Sequence, residues 1–477
     1  MGCRCGHHPN GTLAGYSNAC GATAAYCIAA VGSNVTVAVG TNVFASGYGV
    51  GSGTSFAAPA VAGAIALLMS AAPNITAQQA LQILFETANK TGIYAQTAIY
   101  GQGVLDLNQA MQPVGQVTVS ANGVTAAPAS MTTIALGSAF GAQPMQALAA
   151  TPMVVQDSFK RDFEVTLSSR VVEGAPPLEA GYRLALFGRP ALTVYSDGQD
   201  RLDLIQDPNP WRTAPDNAPV HFIAHRSIGL DTTFSFGVGV DPIRVLATDD
   251  REPTAAFSYG MLAPGSISNP YLSLIDNALV ASLDFLTLGN RITVVAAFGQ
   301  PFVPEGVIAD PDVNVPHIFG GEVQMSFPIK TSSVVRFDMG TLIENNSLLG
   351  SVGGGAGRIG HSTSWTAGLS TEIALARDTS LVAGIHTAIS AESAVSGSLV
   401  QDATDVVSFS GGLGLVQHNV MTPGDELTFG AGLPLRAVSG IAHLLVPDDV
   451  SSLGSVSAQP LAIGLRADGR EEDFSSH

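Results

Sequence analysis

Along residues 161–477, apolar positions alternate with small or polar ones, in segments split by Asp, Asn, Pro and Gly. In 232–240, Phe234, Phe236, Val238 and Val240 alternate with Ser235, Gly237 and Gly239. The same period runs through Ile292, Val294, Ala296 and Phe298, through Val323, Met325 and Phe327, through Trp365, Ala367, Leu369, Thr371, Ile373 and Leu375, and through Leu427, Phe429, Ala431 and Leu433. A period of two sends alternate side chains to opposite faces of a strand; the second face here carries Gly, Ser, Thr, Gln and Glu. The start of the chain has another rhythm. From about Ser55 to Ser70 it is apolar nearly all round (Phe56, Val61, Ile65, Leu67, Leu68, Met69), which predicts a helix buried on every side. Pro59 falls in its first turn, where a missing N–H costs little. A second helix is predicted from Thr76, with Gln79 completing a capping box and Ala80, Ile83, Leu84 and Ala88 at helical spacing.

Three regions follow: 1–115, rich in Ala and Gly; a small, polar linker over 116–160; and strands over 161–477. At about 10 residues per spanning strand plus turns, the last region fits an antiparallel membrane barrel of ten to twelve strands. A soluble all-β domain has the same alternation. Composition points either to an unusually buried protein or to one with a lipid-facing surface: charged residues make up 12% of the chain, there are 53 glycines and mean hydropathy is +0.30, whereas ordinary soluble domains carry about 25% charge. The net charge of −18 excludes a nucleic-acid partner, which needs a basic face. No run of 18 apolar residues is free of Gly and polar breaks, so no spanning helix is expected, nor is a signal peptide seen at the start.

The four cysteines are Cys3, Cys5, Cys20 and Cys27. Cys20 and Cys27 are close enough to close a small loop by a disulfide, which implies an oxidising compartment. A metal site from Cys3, Cys5, His7 and His8 is the alternative; its spacing matches no zinc pattern, so neither a metal nor a cofactor is expected.

Ser55 is the candidate nucleophile. A serine hydroxyl needs a base, a group orienting that base, and N–H donors for the oxyanion. Ser55 has the donors: it follows the Gly-rich stretch 47–53 and opens the predicted helix, so its own N–H is among the unsatisfied ones of a helix start.

Gly53-Thr54-Ser55-Phe56-Ala57-Ala58-Pro59, with Val61 and Gly63, resembles the nucleophile segment of the subtilisin-like serine proteases (subtilases). Tyr100-Gly101-Gln102-Gly103-Val104-Leu105-Asp106 is similar to the closing element of that domain. Tyr16 to Gly21 and Tyr26 to Ala30 resemble the Cys-bridged strand pair of autotransporter subtilases, with Val31 where that branch has Pro. The resemblance implies an α/β domain, a peptide or protein substrate, Ser55 as the acylated residue, Gly53 and Thr54 beside the oxyanion, and Tyr48 and Gly49 along the substrate cleft. Subtilases present their triad in the order Asp, His, Ser. Here no Asp precedes Asp106, Glu86 is the one acid before it, and His7 and His8 are the only upstream histidines. Asn10 to Gly15 matches the family's His segment poorly, and Asn18 and Asn34 lack the context of its oxyanion Asn. The expectation is a C-terminal fragment of a subtilase domain, inactive as it stands. Uncovering the apolar helix forfeits about 1.5–3 kcal/mol per large side chain, so residues 1–115 are not expected to fold stably alone.

Downstream, Leu136 to Gly141 and Asp157 to Phe163 are similar to the linker of autotransporter subtilases. Ser347 to Ser351, Gly353 to Gly355 and Ser362 to Leu369 resemble the middle hairpin of their barrel. That resemblance implies a barrel of about twelve strands in outer-membrane lipid, at the surface of a Gram-negative cell. Such barrels end on an aromatic strand terminus; Glu472 to His477 departs from this, which leaves closure in doubt. A non-enzymatic translocator with a remnant passenger is the alternative function.

Overall fold

The computed structural model describes residues 3–7, 12–42, 47–121, 124–173, 192–197, 199–205, 221–229, 231–247, 269–303, 307, 315–330, 333–393, 395–420, 426–451, 455–467 and 473–476. The chain forms two units. One comprises 1–123, 154–165 and 447–458; the other comprises 124–153, 166–446 and 459–477.

In the first unit, strand β1 (Cys3–His7) lies parallel to β2 (Cys27–Val31). A hairpin of β3 (Val35–Ala38) and β4 (Tyr48–Gly51) leads into helix α1 (Thr54–Ala71). Helix α2 (Ala77–Thr87) carries the Thr76–Gln79 capping box in full. Its buried face, Ala80, Ile83 and Leu84, packs with Ala64, Leu68 and Ile75. The Gly101–Gly103 turn docks on β2: Gln102 N–H donates to Cys27 O (2.7 Å), and Leu105 N–H to Ala29 O (2.8 Å). Gly101 has φ +64, and a Cβ there would collide with the Cys27 carbonyl, so two separate constraints select glycine.

Two expectations need correction. Helix α1 is not buried all round: only Ala57, Ala64 and Leu68 are buried, and Leu67 is 55% exposed. The reason is that, among the described residues, the sheet packed on it has only two strands, β1 and β2. By length and composition this helix would also suffice to cross a membrane, because Pro59, Gly63 and its alanines interrupt the apolar run without adding charge. Second, the cysteines bridge a turn to a strand rather than two strands. Cys20 and Cys27 form a disulfide, and the six residues between them, Gly21–Tyr26, wind into a 3-10 turn.

The second unit is dominated by an antiparallel sheet. In order, its strands are β5 (Leu192–Ser196), β6 (Asp200–Ile205), β7 (His221–Ser227), β8 (Thr232–Val240), β9 (Asp276–Thr287), β10 (Asn290–Gln300), β11 (His317–Lys330), β12 (Ser333–Asn345), β13 (His361–Ala376), β14 (Thr379–Ser393), β15 (Val400–His418), β16 (Glu426–Val450) and β17 (Val456–Gly464). A short fourteenth strand, Asp473–Ser476, pairs with β16. Among the described residues no pairing joins β5 to β17. The connections have two to seven residues at one end and five to 35 at the other. At one end they are 197–199, 228–231, 288–289, 331–332, 377–378 and 419–425; at the other they are 206–220, 241–275, 301–316, 346–360, 394–399 and 451–455.

The burial of this sheet is inverted relative to a soluble protein. On one face Met339 (71%), Trp365 (68%) and Ile389 (63%) are exposed, in line with Phe298, Phe319 and Leu413. On the other, Glu322, Asp338, Glu344, Ser364, His386 and Ser408 are buried. An apolar cluster also occupies part of this inner face, with Val280, Val295, Ile318 and Leu342 around the short helix Pro242–Ala247. At the long-connection end, the strands Thr133–Leu136 and Ser351–Gly354 pair, and Gly137 N–H donates to Ser351 Oγ (2.7 Å). The two motifs at 136–141 and 347–355, far apart in sequence, are thus neighbours.

Candidate active site around Ser55

The position of Ser55 is set by a close approach of two chain segments. Gly53 N–H donates to Gly32 O (2.8 Å), tying the start of α1 to the end of β2. A Cβ on Gly32 would come within 2.9 Å of Gly53 O, so a side chain there would prise the two apart. Asn34 N–H donates to Ser52 Oγ (2.9 Å), and Phe56 N–H to Gly53 O (3.0 Å), which closes the first turn. Ser55 is the second residue of α1 and its side chain is exposed. A Cβ at position 53 would sit 3.2 Å from Ser55 Oγ, so Gly53 keeps that approach open. Next to it, β4 presents Tyr48 (64%) and Val50 (70%) to solvent.

This arrangement supplies a hydroxyl at a helix N-terminus, where developing negative charge is favoured. Among the described residues it supplies no proton acceptor. Among the described residues, no hydrogen bond reaches Ser55 Oγ. Three carboxylates of this unit are engaged elsewhere. Glu86 accepts from Gln82 (2.9 Å), Asp106 caps a helical turn through Gln109 N–H (3.0 Å), and Asp157 is locked to Arg161. His7 is described only as backbone of β1, and His8 and Asn10 lie outside the described residues. Among the described residues no group of three His, Cys, Asp or Glu could hold a metal ion.

Residues 6–103 match the model of the subtilase family. The chain is similar to serotype-specific antigen 1 of Mannheimia haemolytica, 35% identical over 102 residues, covering 21% of this chain and 11% of that protein. It is also similar to an extracellular serine protease of Serratia marcescens, 34% identical over 113 residues, covering 20% of this chain and 11% of that protein. The chain therefore spans about a tenth of the length of these curated relatives. The motif around Ser55 and the Tyr-Gly-Gln-Gly element both lie inside the matched region.

One feature of this unit escapes the pattern of apolar positions. Asp157 and Arg161 form a buried ion pair at 2.8 Å, with side chains 0% and 4% exposed. Arg161 donates to Ala110 O (2.6 Å) and Gln112 O (2.8 Å), while Asp157 accepts from the N–H groups of Val114, Phe159 and Arg161. Four of the five guanidinium N–H groups and both carboxylate oxygens are used, so the pair clamps the end of the subtilase-like segment to 157–163. The signal in the sequence is an Asp and an Arg four apart, beside Lys160, Asp162 and Glu164; spacing alone does not say which of these charges pair, nor that the partners are carbonyls some 50 residues earlier.

Proposed function

We propose that residues 161–477 form an outer-membrane β-barrel of the autotransporter type, with a peptide-bond-hydrolysing ancestry recorded in residues 1–115 but no hydrolysis by this chain. The observation that carries the barrel is the inverted burial of the sheet. Lipid-facing and lumen-facing residues alternate in such barrels, with apolar side chains outward. The height agrees. On β13 the outward positions run from Trp365 to Leu375, eleven residues and ten steps, or about 33 Å along the strand. Tilted by about 45°, that is about 23 Å along the membrane normal, against about 25 Å for an outer-membrane apolar band. Short turns at one end and long connections at the other fit the same class.

For the serine, the family reading assigns Ser55 as nucleophile, with Gly53 and Thr54 at the oxyanion, and a peptide or protein as substrate. Without a base and its orienting carboxylate, most triad catalysis is lost. The disulfide suits the oxidising side of a cell envelope, which supports a surface location. Two experiments test the proposal. Migration on gels in detergent should be heat-modifiable, and a single unfolded-like band with and without heating would count against the barrel. A serine-reactive phosphonate should leave Ser55 unlabelled; labelling abolished by Ser55→Ala would favour an active endopeptidase instead.

A further inference from the structure

Residues 269–275 precede β9 in the long connection 241–275, yet they fold onto the inner, polar face of the sheet rather than away from it. Asn269, Pro270, Tyr271 and Leu272 are all buried. The Asn269 amide donates to Glu322 Oε2 on β11 (2.7 Å), and its oxygen accepts from Tyr271 N–H (2.9 Å). The Tyr271 hydroxyl lies 2.9 Å from Ser408 Oγ and 3.2 Å from Ser408 O, on β15. In the sheet, β11 and β15 are separated by β12, β13 and β14. Two residues of one short segment are therefore anchored on two distant strands, so the segment bridges the inner face like a strap.

The wall is shaped to receive it. A Cβ on Gly320 would meet Ile275 Cδ1 at 2.8 Å and Leu272 Cδ2 at 2.9 Å, and one on Gly299 would meet Ile275 Cγ2 at 2.7 Å. Both glycines occupy inward positions of strands whose outward neighbours, Phe298 and Phe319, are large. On its other side Tyr271 packs with Phe140, Leu348 and Leu349. The strap is thus held by two polar latches and an apolar seat, and both latches sit among side chains that suit water or ions: Glu322, Asp338, His386, Ser408 and Ser410.

We infer that this strap is an internal closure of a channel for small hydrophilic ions, latched by Asn269 to Glu322 and by Tyr271 to Ser408. The inference rests on the barrel reading. Closure comes from the strap occupying the polar interior, and loss of the latches shifts its population away from the wall. Removing the amide from a carboxylate and the hydroxyl from Ser408 raises that population roughly tenfold or more.

The test uses the full chain in planar phospholipid bilayers with potassium chloride as the conducted salt. Asn269→Ala/Tyr271→Phe is expected to show open-channel events roughly tenfold more often than the parent chain. Gly320→Val leaves both latches in place but forces Leu272 and Ile275 off the wall, and is expected to raise conduction as well. It serves independently should the double variant not fold. Variants that are heat-modifiable and insert, yet conduct no more than the parent, overturn the strap as the closure. So does a parent chain that already conducts at the level of the variants. A parent chain that fails to insert into bilayers at all overturns the barrel reading instead.

Discussion

Met339→Arg separates a lipid-facing sheet from a water-facing one. Met339 is 71% exposed, the seventh of the thirteen residues of β12, and sits between outward Phe337 and Thr341. In water the substitution adds a charge to a solvated face and changes stability by no more than about 0.5 kcal/mol. At the middle of an apolar band the guanidinium costs about 2–4 kcal/mol, falling to about 0–1 near the interfaces. Leu288→Arg is the control. Leu288 is 98% exposed in the tight turn between β9 and β10, outside the band in either case. The assay is reversible unfolding in denaturant from phospholipid vesicles, with the heat-modifiable form as readout. A cost of about 2–4 kcal/mol corresponds to a roughly 30- to 900-fold loss in the folding equilibrium constant. The lipid-facing account predicts that loss for Met339→Arg and a small change for Leu288→Arg. Equal effects within about 0.5 kcal/mol would refute it.

Four further outcomes are expected. Glu344 accepts from Ser347 Oγ and from the N–H groups of Leu349 and Gly350; Glu344→Ala strands the buried donors at about 1–3 kcal/mol each, read as a lower thermal midpoint of the heat-modifiable form. Gly368 lies between Asp338 and His386, whose carboxylate and imidazole meet at 3.2 Å across it; Gly368→Ala puts a methyl against both and should cost about 1–3 kcal/mol in the same assay. In the first unit, Asp157→Ala leaves Arg161 buried without its carboxylate, and should cost about 3–5 kcal/mol, seen as rapid thermolysin cleavage of residues 1–165 while the strands downstream stay protected. Asp197, in an exposed turn, is held down at about 2 by Asp200 N–H, the Tyr195 hydroxyl and Gln199 N–H. A depressed carboxyl stabilises above its ordinary value near 3.8 and loses that contribution as pH falls through about 2. The protection factors of the Gln199 and Asp200 amides, with the intrinsic pH dependence of exchange divided out, should therefore hold steady down to about pH 4 and fall toward pH 2; Asp197→Ala should remove that step.

Much of the sheet was legible because its period is strict. The alternation over 232–240 coincides with β8, Thr232–Val240, and the run from Trp365 to Leu375 lies inside β13. The capping box at Thr76 needed only local chemistry. Strand number was less legible: about twelve were expected, against fourteen in the sheet among the described residues, because β5 and β6 have only five and six residues and Asp473–Ser476 only four. Such lengths hold too few alternations to count. The strap was invisible for a different reason. Asn269 and Tyr271 look like ordinary loop residues until Glu322 and Ser408, distant in sequence, come within hydrogen-bonding reach. Gly320 and Gly299 read as generic small residues on a polar face, though their neighbours make each one a seat. The motif around Ser55 lies inside the region that matches the subtilase model, while the pattern of apolar positions alone overstated the burial of α1, because periodicity cannot say how many strands cover a helix.

The central claim, that the outward face of the sheet meets lipid, is tested most directly through Trp365. The chain has two tryptophans, so Trp211→Phe leaves Trp365 as the sole emitter, near one edge of the apolar band. In vesicles of phospholipid brominated on the acyl chain near the headgroup, the account predicts that most of the emission is quenched and that aqueous iodide has little effect. Emission indifferent to the brominated lipid and quenched by iodide would contradict it.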